Sequence, residues 1–183
     1  MMPRYPMEPI RTMPKTNIIL TGFMGTGKST LGRLLAQELD YRFVDTDQLL
    51  EAELGQTIAD FFAQAGEVAF RKKEEELVLA LTHQRKLVIA TGGGLILNPV
   101  NAKALAQTGQ IFCLTATAEE ILERISNQQH IRPLLQDQNP LAKIHQLLEQ
   151  RAASYQQFTQ ISTSGRTQKD LIAELLQQFT RTA

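Results

Sequence analysis

The 183-residue chain reads as a single α/β domain: a five-stranded parallel sheet with helices on both faces. Three observations predict this. Short apolar runs alternate with longer segments of helical period. The runs are continuously apolar, as strands buried on both faces tend to be. The first of them leads directly into a glycine-rich stretch, "GFMGTGKST" (22–30), and then into an amphipathic segment.

Taken in order, the predicted strands are "NIIL" (17–20), "RFVDT" (42–46), "KLVIAT" (86–91), "QIFCLT" (110–115) and the less apolar "TQIST" (159–163). Helices fill the gaps. Leu31, Leu34, Leu35 and Leu39 share one helical face after the glycine stretch. Thr57 caps a short helix carrying Ile58, Phe61 and Phe62, which Gly66 ends. A charged helix follows over about 67–83. Asn98-Pro99 and Asn139-Pro140 each read as a cap followed by proline at the first helical position. Thr117 with Glu120, and Thr167 with Asp170, have capping-box spacing.

Residues 1–15 hold four of the seven prolines, show no periodicity and lack the apolar core of a secretory signal. They are expected to form a flexible arm ahead of a domain over 16–183. Basic and acidic residues number 19 each, so the formal net charge is zero. That argues against a protein built to coat nucleic acid or an anionic membrane. No apolar run approaches the ~18 residues of a membrane span. The single cysteine, Cys113, lies in "IFCL" as an expected core filler and cannot form an internal disulfide. A cytoplasmic monomer is the expectation.

Chemistry gathers after the strands, where open parallel sheets bind ligands. Gly22, Gly25, Gly27, Lys28 and Ser29 match G-x-x-x-x-G-K-[ST], between a strand and an amphipathic helix as the motif requires. Backbone N–H groups of such a P-loop cradle phosphates, Lys28 reaches the outer ones, and the Ser29 hydroxyl ligates magnesium. The chain is therefore expected to bind a nucleoside triphosphate with Mg2+. No Asn-Lys-x-Asp reads guanine, and no aspartate has glycine three places on, which argues against a GTPase switch. A short P-loop domain with little else points to a kinase of a small molecule.

Asp45 and Asp47 flank Thr46 at a predicted strand end. Residues two apart on a strand share a face, so both carboxylates can enter one cleft. One can hold a magnesium-bound water and the other a substrate hydroxyl. The alternative is a solvated loop, or a helix cap at Asp47. Arg71 stands at helical contact spacing from Glu74 and Glu75. The choice is between an exposed salt-bridged face and an arginine aimed into the cleft by Glu74. Gly92, Gly93 and Gly94 follow a strand and allow close backbone approach to a ligand. Arg132, in the aperiodic "IRPLL", suits an arginine that swings over phosphates. Arg151, taken alone, reads as a surface residue of the long helix from Pro140.

The ordered set "GFMGTGKSTLGRLLA", "FVDTD", Gly55-x-Thr57-Ile58, "GEVAFRKKE", "ATGGG", "RPLL" and Arg151-x-x-x-Tyr155 resembles the shikimate kinase family, over about 17–155. The resemblance implies a P-loop kinase fold with a mobile lid at about 126–139. It implies transfer of the ATP γ-phosphate to the 3-hydroxyl of shikimate, in aromatic amino-acid biosynthesis. By it, Lys28, Asp47 and Arg132 are catalytic, with Asp47 the candidate base. The nucleotide set is Gly25, Thr26, Gly27, Lys28, Ser29, Thr30, Arg124 and Arg132, with Arg124 against adenine. Asp47, Arg71, Gly92, Gly93, Gly94 and Arg151 bind shikimate, the two arginines clamping its carboxylate. Ser29 holds Mg2+, and Asp45 does so through water. No residue of "STSGRT" (162–167) is assigned to the adenine. The other readings are a kinase of another hydroxy acid such as gluconate, and a non-catalytic nucleotide-binding module of the same fold.

Overall fold

The computed structural model describes residues 16–127 and 138–180. The arm at 1–15, Arg132 and most of the expected lid lie outside them. The elements run β1 (Asn17–Gly22), α1 (Lys28–Leu39), β2 (Arg42–Asp45), α2 (Thr46–Leu54), α3 (Ile58–Thr82) and β3 (Leu87–Ala90). A short 3-10 turn (Leu95–Leu97) leads to α4 (Pro99–Thr108), β4 (Gly109–Thr115), α5 (Ala118–Ser126), α6 (Pro140–Gln156), β5 (Thr159–Ser162) and α7 (Gln168–Thr180).

The five strands form one parallel sheet in the order β2-β3-β1-β4-β5. β1 is central and every residue of it is buried. Its side chains alternate between the two faces. Ile18 and Leu20 enter the core beneath α1 and α7, with Leu31, Leu35, Leu171 and Leu175. Ile19 enters the core beneath α3 and α4, with Val78, Leu81 and Leu105. A third cluster joins Phe23 of the P-loop to Ile121 and Ile125 of α5 and Ile144 of α6. No helix among the described residues is long and apolar enough to cross a membrane.

The caps agree with the sequence. Thr57 accepts from the Asp60 N–H, Asn98 from Val100 and Asn139 from Ala142. Thr117 and Glu120 form a complete capping box. Thr167 accepts from the Asp170 N–H, but the Asp170 carboxylate takes the Thr167 hydroxyl instead of reaching back to the backbone. The two helices expected on either side of Gly66 form one element, α3, broken where Gly66 takes φ 78° and ψ 173°.

One helix is unforeseen, and it moves a site residue. The second strand ends at Asp45, and Thr46 opens α2. Asp45 caps that helix, accepting from the N–H groups of Asp47 and Gln48 at 3.2 and 3.4 Å. This turns the chain out of the sheet before Asp47. The two aspartates therefore do not share a strand face, and the cap is Asp45 rather than Asp47.

Candidate active site

The P-loop joins β1 to α1. Gly27 is the N-cap of α1 at φ 92°, with no side-chain cap and no acidic residue in the first turn. A Cβ is strained in that left-handed conformation. The helix N-terminus keeps its positive end open to an anion. Lys28 folds back across the loop, its Nζ donating to the Gly22 and Phe23 carbonyls, each at 2.9 Å. Thr26 is buried, its hydroxyl donating to the Phe23 carbonyl at 2.7 Å.

One residue after Lys28, the Ser29 hydroxyl donates to Asp45 Oδ2 at 2.7 Å. The pair places two hard oxygen donors beside the loop. Magnesium takes such donors, filling its remaining positions with water and phosphate oxygens. No cluster of three or more His, Cys, Asp or Glu side chains suited to a metal occurs among the described residues. The Ser29–Asp45 donor pair fits magnesium carried with a nucleotide.

The second half of the site is built around Gly92–Gly94, just beyond β3. Thr46, fully buried, accepts from the Gly92 N–H at 2.8 Å through its hydroxyl. That bond seats the start of α2 against the turn, so Asp47 lies directly over Gly92. A Cβ at Gly92 would stand well inside van der Waals contact distance of Asp47 Oδ1. The Arg71 guanidinium lies over the end of the turn, its Nη1 2.9 Å from where a Cβ of Gly94 would stand. Arg151 closes the middle. Its Nη1 is 3.5 Å from the Gly93 carbonyl, and its guanidinium sits 5.3 Å over the Phe23 ring. Asp47, Arg71 and Arg151 thus converge on one turn from α2, α3 and α6.

The two arginines differ in their counter-charges. Arg71 pairs with the buried Glu74 at 2.6 Å and the exposed Glu67 at 3.0 Å. Burial works against its charge, but the two carboxylates outweigh that and raise its pKa. Burial raises the pKa of Glu74. Arg71 opposes that rise, while the like charges of Asp47 and Glu67 add to it. Arg151 pairs with no carboxylate among the described residues. Two guanidinium groups facing a turn, one of them with no carboxylate partner among the described residues, suit a carboxylate ligand.

On the other side of the P-loop a groove of about 240 Å³ is lined by Thr26, Gly27 and Thr30 against Arg124, Arg166 and Gln168. Arg124 spans its end. The guanidinium donates to the Gly25 carbonyl at 3.3 Å and to Thr163 Oγ1 at 3.0 Å. Arg124 therefore ties the P-loop to the β5–α7 turn as well as lining the groove. Thr163, Arg166 and Gln168 form the wall that the sequence leaves unassigned. Tyr155, which the sequence marks only by its spacing from Arg151, donates to the Gly93 carbonyl at 2.9 Å.

Comparison with known proteins places the chain in a family. A family model described as shikimate kinase matches residues 24–180. A shikimate kinase of Thermodesulfovibrio yellowstonii is 40% identical over 166 residues, covering 90% of this chain and 95% of the relative. Among solved structures, a shikimate kinase from Acinetobacter baumannii in complex with shikimate superposes with a TM-score of 0.82. It is 38% identical and covers 91% of this chain and 93% of its own. A gluconokinase from Sinorhizobium meliloti gives a TM-score of 0.58 at 16% identity, which is likeness of fold alone. With a family match along nearly the whole folded chain, this chain belongs to the shikimate kinase family.

Proposed function

We propose that this protein transfers the γ-phosphate of ATP to the 3-hydroxyl of shikimate, giving shikimate 3-phosphate and ADP on the route to aromatic amino acids. The observation that carries this is the convergence of Asp47, Arg71 and Arg151 on Gly92–Gly94, across the P-loop from the nucleotide groove. An acid beside a pair of arginines suits a ligand bearing both a hydroxyl and a carboxylate.

The residues then divide the work. Gly25, Thr26, Gly27, Lys28, Ser29 and Thr30 cradle the triphosphate. Lys28 exchanges its two carbonyl partners for the outer phosphate oxygens. Arg71 and Arg151 clamp the shikimate carboxylate, and Gly92, Gly93 and Gly94 line its pocket. That anchors the ring so the hydroxyl lies at Asp47, which accepts its proton or fixes its direction. Arg124 bounds the adenine end. Arg132 is assigned to the transferring phosphate on the resemblance of "RPLL" alone. Ser29, with Asp45 through water, would hold Mg2+. That ion neutralises charge on the phosphates when bound.

We further propose that the enzyme works as a cytoplasmic monomer, with which its balanced charge is compatible. Product analysis tests the reaction. Phosphorus NMR of the product should show one phosphate coupled to the proton at ring position 3. Coupling at another ring position, or a phosphate on water alone, would overturn the assignment.

A further inference from the structure

Tyr155 is buried in the core beneath α3 and α4, 6% exposed, yet its hydroxyl emerges at the active-site turn. It stands one helical turn after Arg151 on α6, so the two side chains share a face. Both reach the same acceptor. The Gly93 carbonyl takes the Tyr155 hydroxyl at 2.9 Å and Arg151 Nη1 at 3.5 Å, the outer limit of a hydrogen bond. The phenol thus satisfies the carbonyl, and the guanidinium only grazes it.

We propose that Tyr155 is a positioning residue: by taking the Gly93 carbonyl, its hydroxyl keeps the Arg151 guanidinium for the carboxylate of the substrate. This rests on the carboxylate clamp assigned to Arg151 above. Tyr155 itself does not touch substrate. Without the hydroxyl, Gly93 keeps Arg151 as its one side-chain donor among the described residues. A half-buried carbonyl left short of a donor draws in the nearest N–H. Arg151 would then close onto Gly93, and the substrate would have to compete for it. Arg71, fixed at its own end of the turn by Glu74 and Glu67, cannot move into the place that Arg151 leaves.

The test is a double-mutant cycle on the full chain, with shikimate and ATP varied separately. Tyr155→Phe keeps the buried ring and removes only the hydroxyl. Its KM for shikimate should rise about three- to tenfold, the usual worth of one hydrogen bond, with kcat and the KM for ATP within about twofold. Combined with Arg151→Ala, it should add nothing to the loss in kcat/KM that Arg151→Ala causes alone. Y155M, apolar and without the hydroxyl, carries the same test should Y155F fold poorly. An unchanged KM in Y155F overturns the proposal. So does an effect that persists in full in the Arg151→Ala background, or one that falls equally on both substrates with a drop in Tm. A normal shikimate KM in Arg151→Ala alone overturns the clamp, and the role of Tyr155 with it. Wild-type protein that shows no shikimate-dependent turnover overturns the reaction itself.

Discussion

Glu74 and Arg71, three residues apart on α3, are joined at 2.6 Å, with the acid 2% exposed and the arginine 34%. A carboxylate this buried is held there by its partner, and in return it fixes where the guanidinium points. Glu67, on the solvent side, cannot do the same. Glu74→Ala should leave Arg71 free to swing outward with Glu67. The KM for shikimate should rise about tenfold, while the KM for ATP stays near wild type. Thermal unfolding should show a loss of about 1–2 kcal/mol, less than for a fully buried pair because Arg71 keeps solvent and Glu67. A shikimate KM unchanged in steady-state kinetics would return the pair to a purely structural role.

Asp47 sits in the first turn of α2 over Gly92. Asp47→Asn keeps the shape and removes the basic oxygen. It should lower kcat by about 100-fold or more and leave ATP affinity, read by calorimetry, unchanged. Turnover near wild type would remove Asp47 as base and as essential positioner.

Gly92→Ala makes the same point from the other side of the contact. The new Cβ collides with Asp47 Oδ1, and Thr46 holds the Gly92 N–H so the backbone cannot easily retreat. The carboxylate must shift. A displacement of about 1 Å at a reacting group costs on the order of 100-fold in rate. Activity should fall by that order while nucleotide binding persists, as measured by ADP formation and ATP titration side by side. Full activity in the variant would mean that the Asp47–Gly92 contact does not position the acid.

Cys113 is fully buried in β4, and burial pushes its thiol pKa up to about 11. The raised value favours the neutral thiol, so at pH 8 almost no thiolate is present. Reaction with a disulfide reagent should therefore be negligible in native protein and rise with urea along the unfolding curve. Rapid stoichiometric labelling of native protein at pH 8 would contradict this.

Much of the sheet is legible in the sequence because its interior strands are buried on both faces. Ile18–Leu20 and Leu87–Ala90 are continuous apolar runs there, and they read as such. The P-loop is equally plain, since its glycines and Lys28 lie at fixed spacing within one short stretch. α2 escapes because Asp45 and Thr46 extend the apolar run "FV" by residues that suit a strand end. That the Asp45 side chain caps a helix is decided by geometry, not composition. The bond from the Gly92 N–H to Thr46 brings Asp47 over the glycine turn, while Asp45 turns to Ser29 of the P-loop. Arg71 could not be told from an exposed salt-bridge face by spacing alone, because helical contact spacing does not say which face is buried. The buried Glu74 and the guanidinium over Gly94 place Arg71 at the turn. The groove wall of Thr163, Arg166 and Gln168 carries no motif, since it is set by where β5 ends beside the P-loop. Tyr155 meets Gly93 across 62 residues, a contact visible only in the fold.

The most direct measurement is ADP release from ATP and magnesium with shikimate, and then gluconate, as the acceptor. Release should appear with shikimate and stay at background with gluconate or with no acceptor. Release with gluconate and not shikimate would contradict the reading of Asp47, Arg71 and Arg151 as a shikimate site. Silence with both, in protein that binds ATP, would contradict its being a working kinase of either acid.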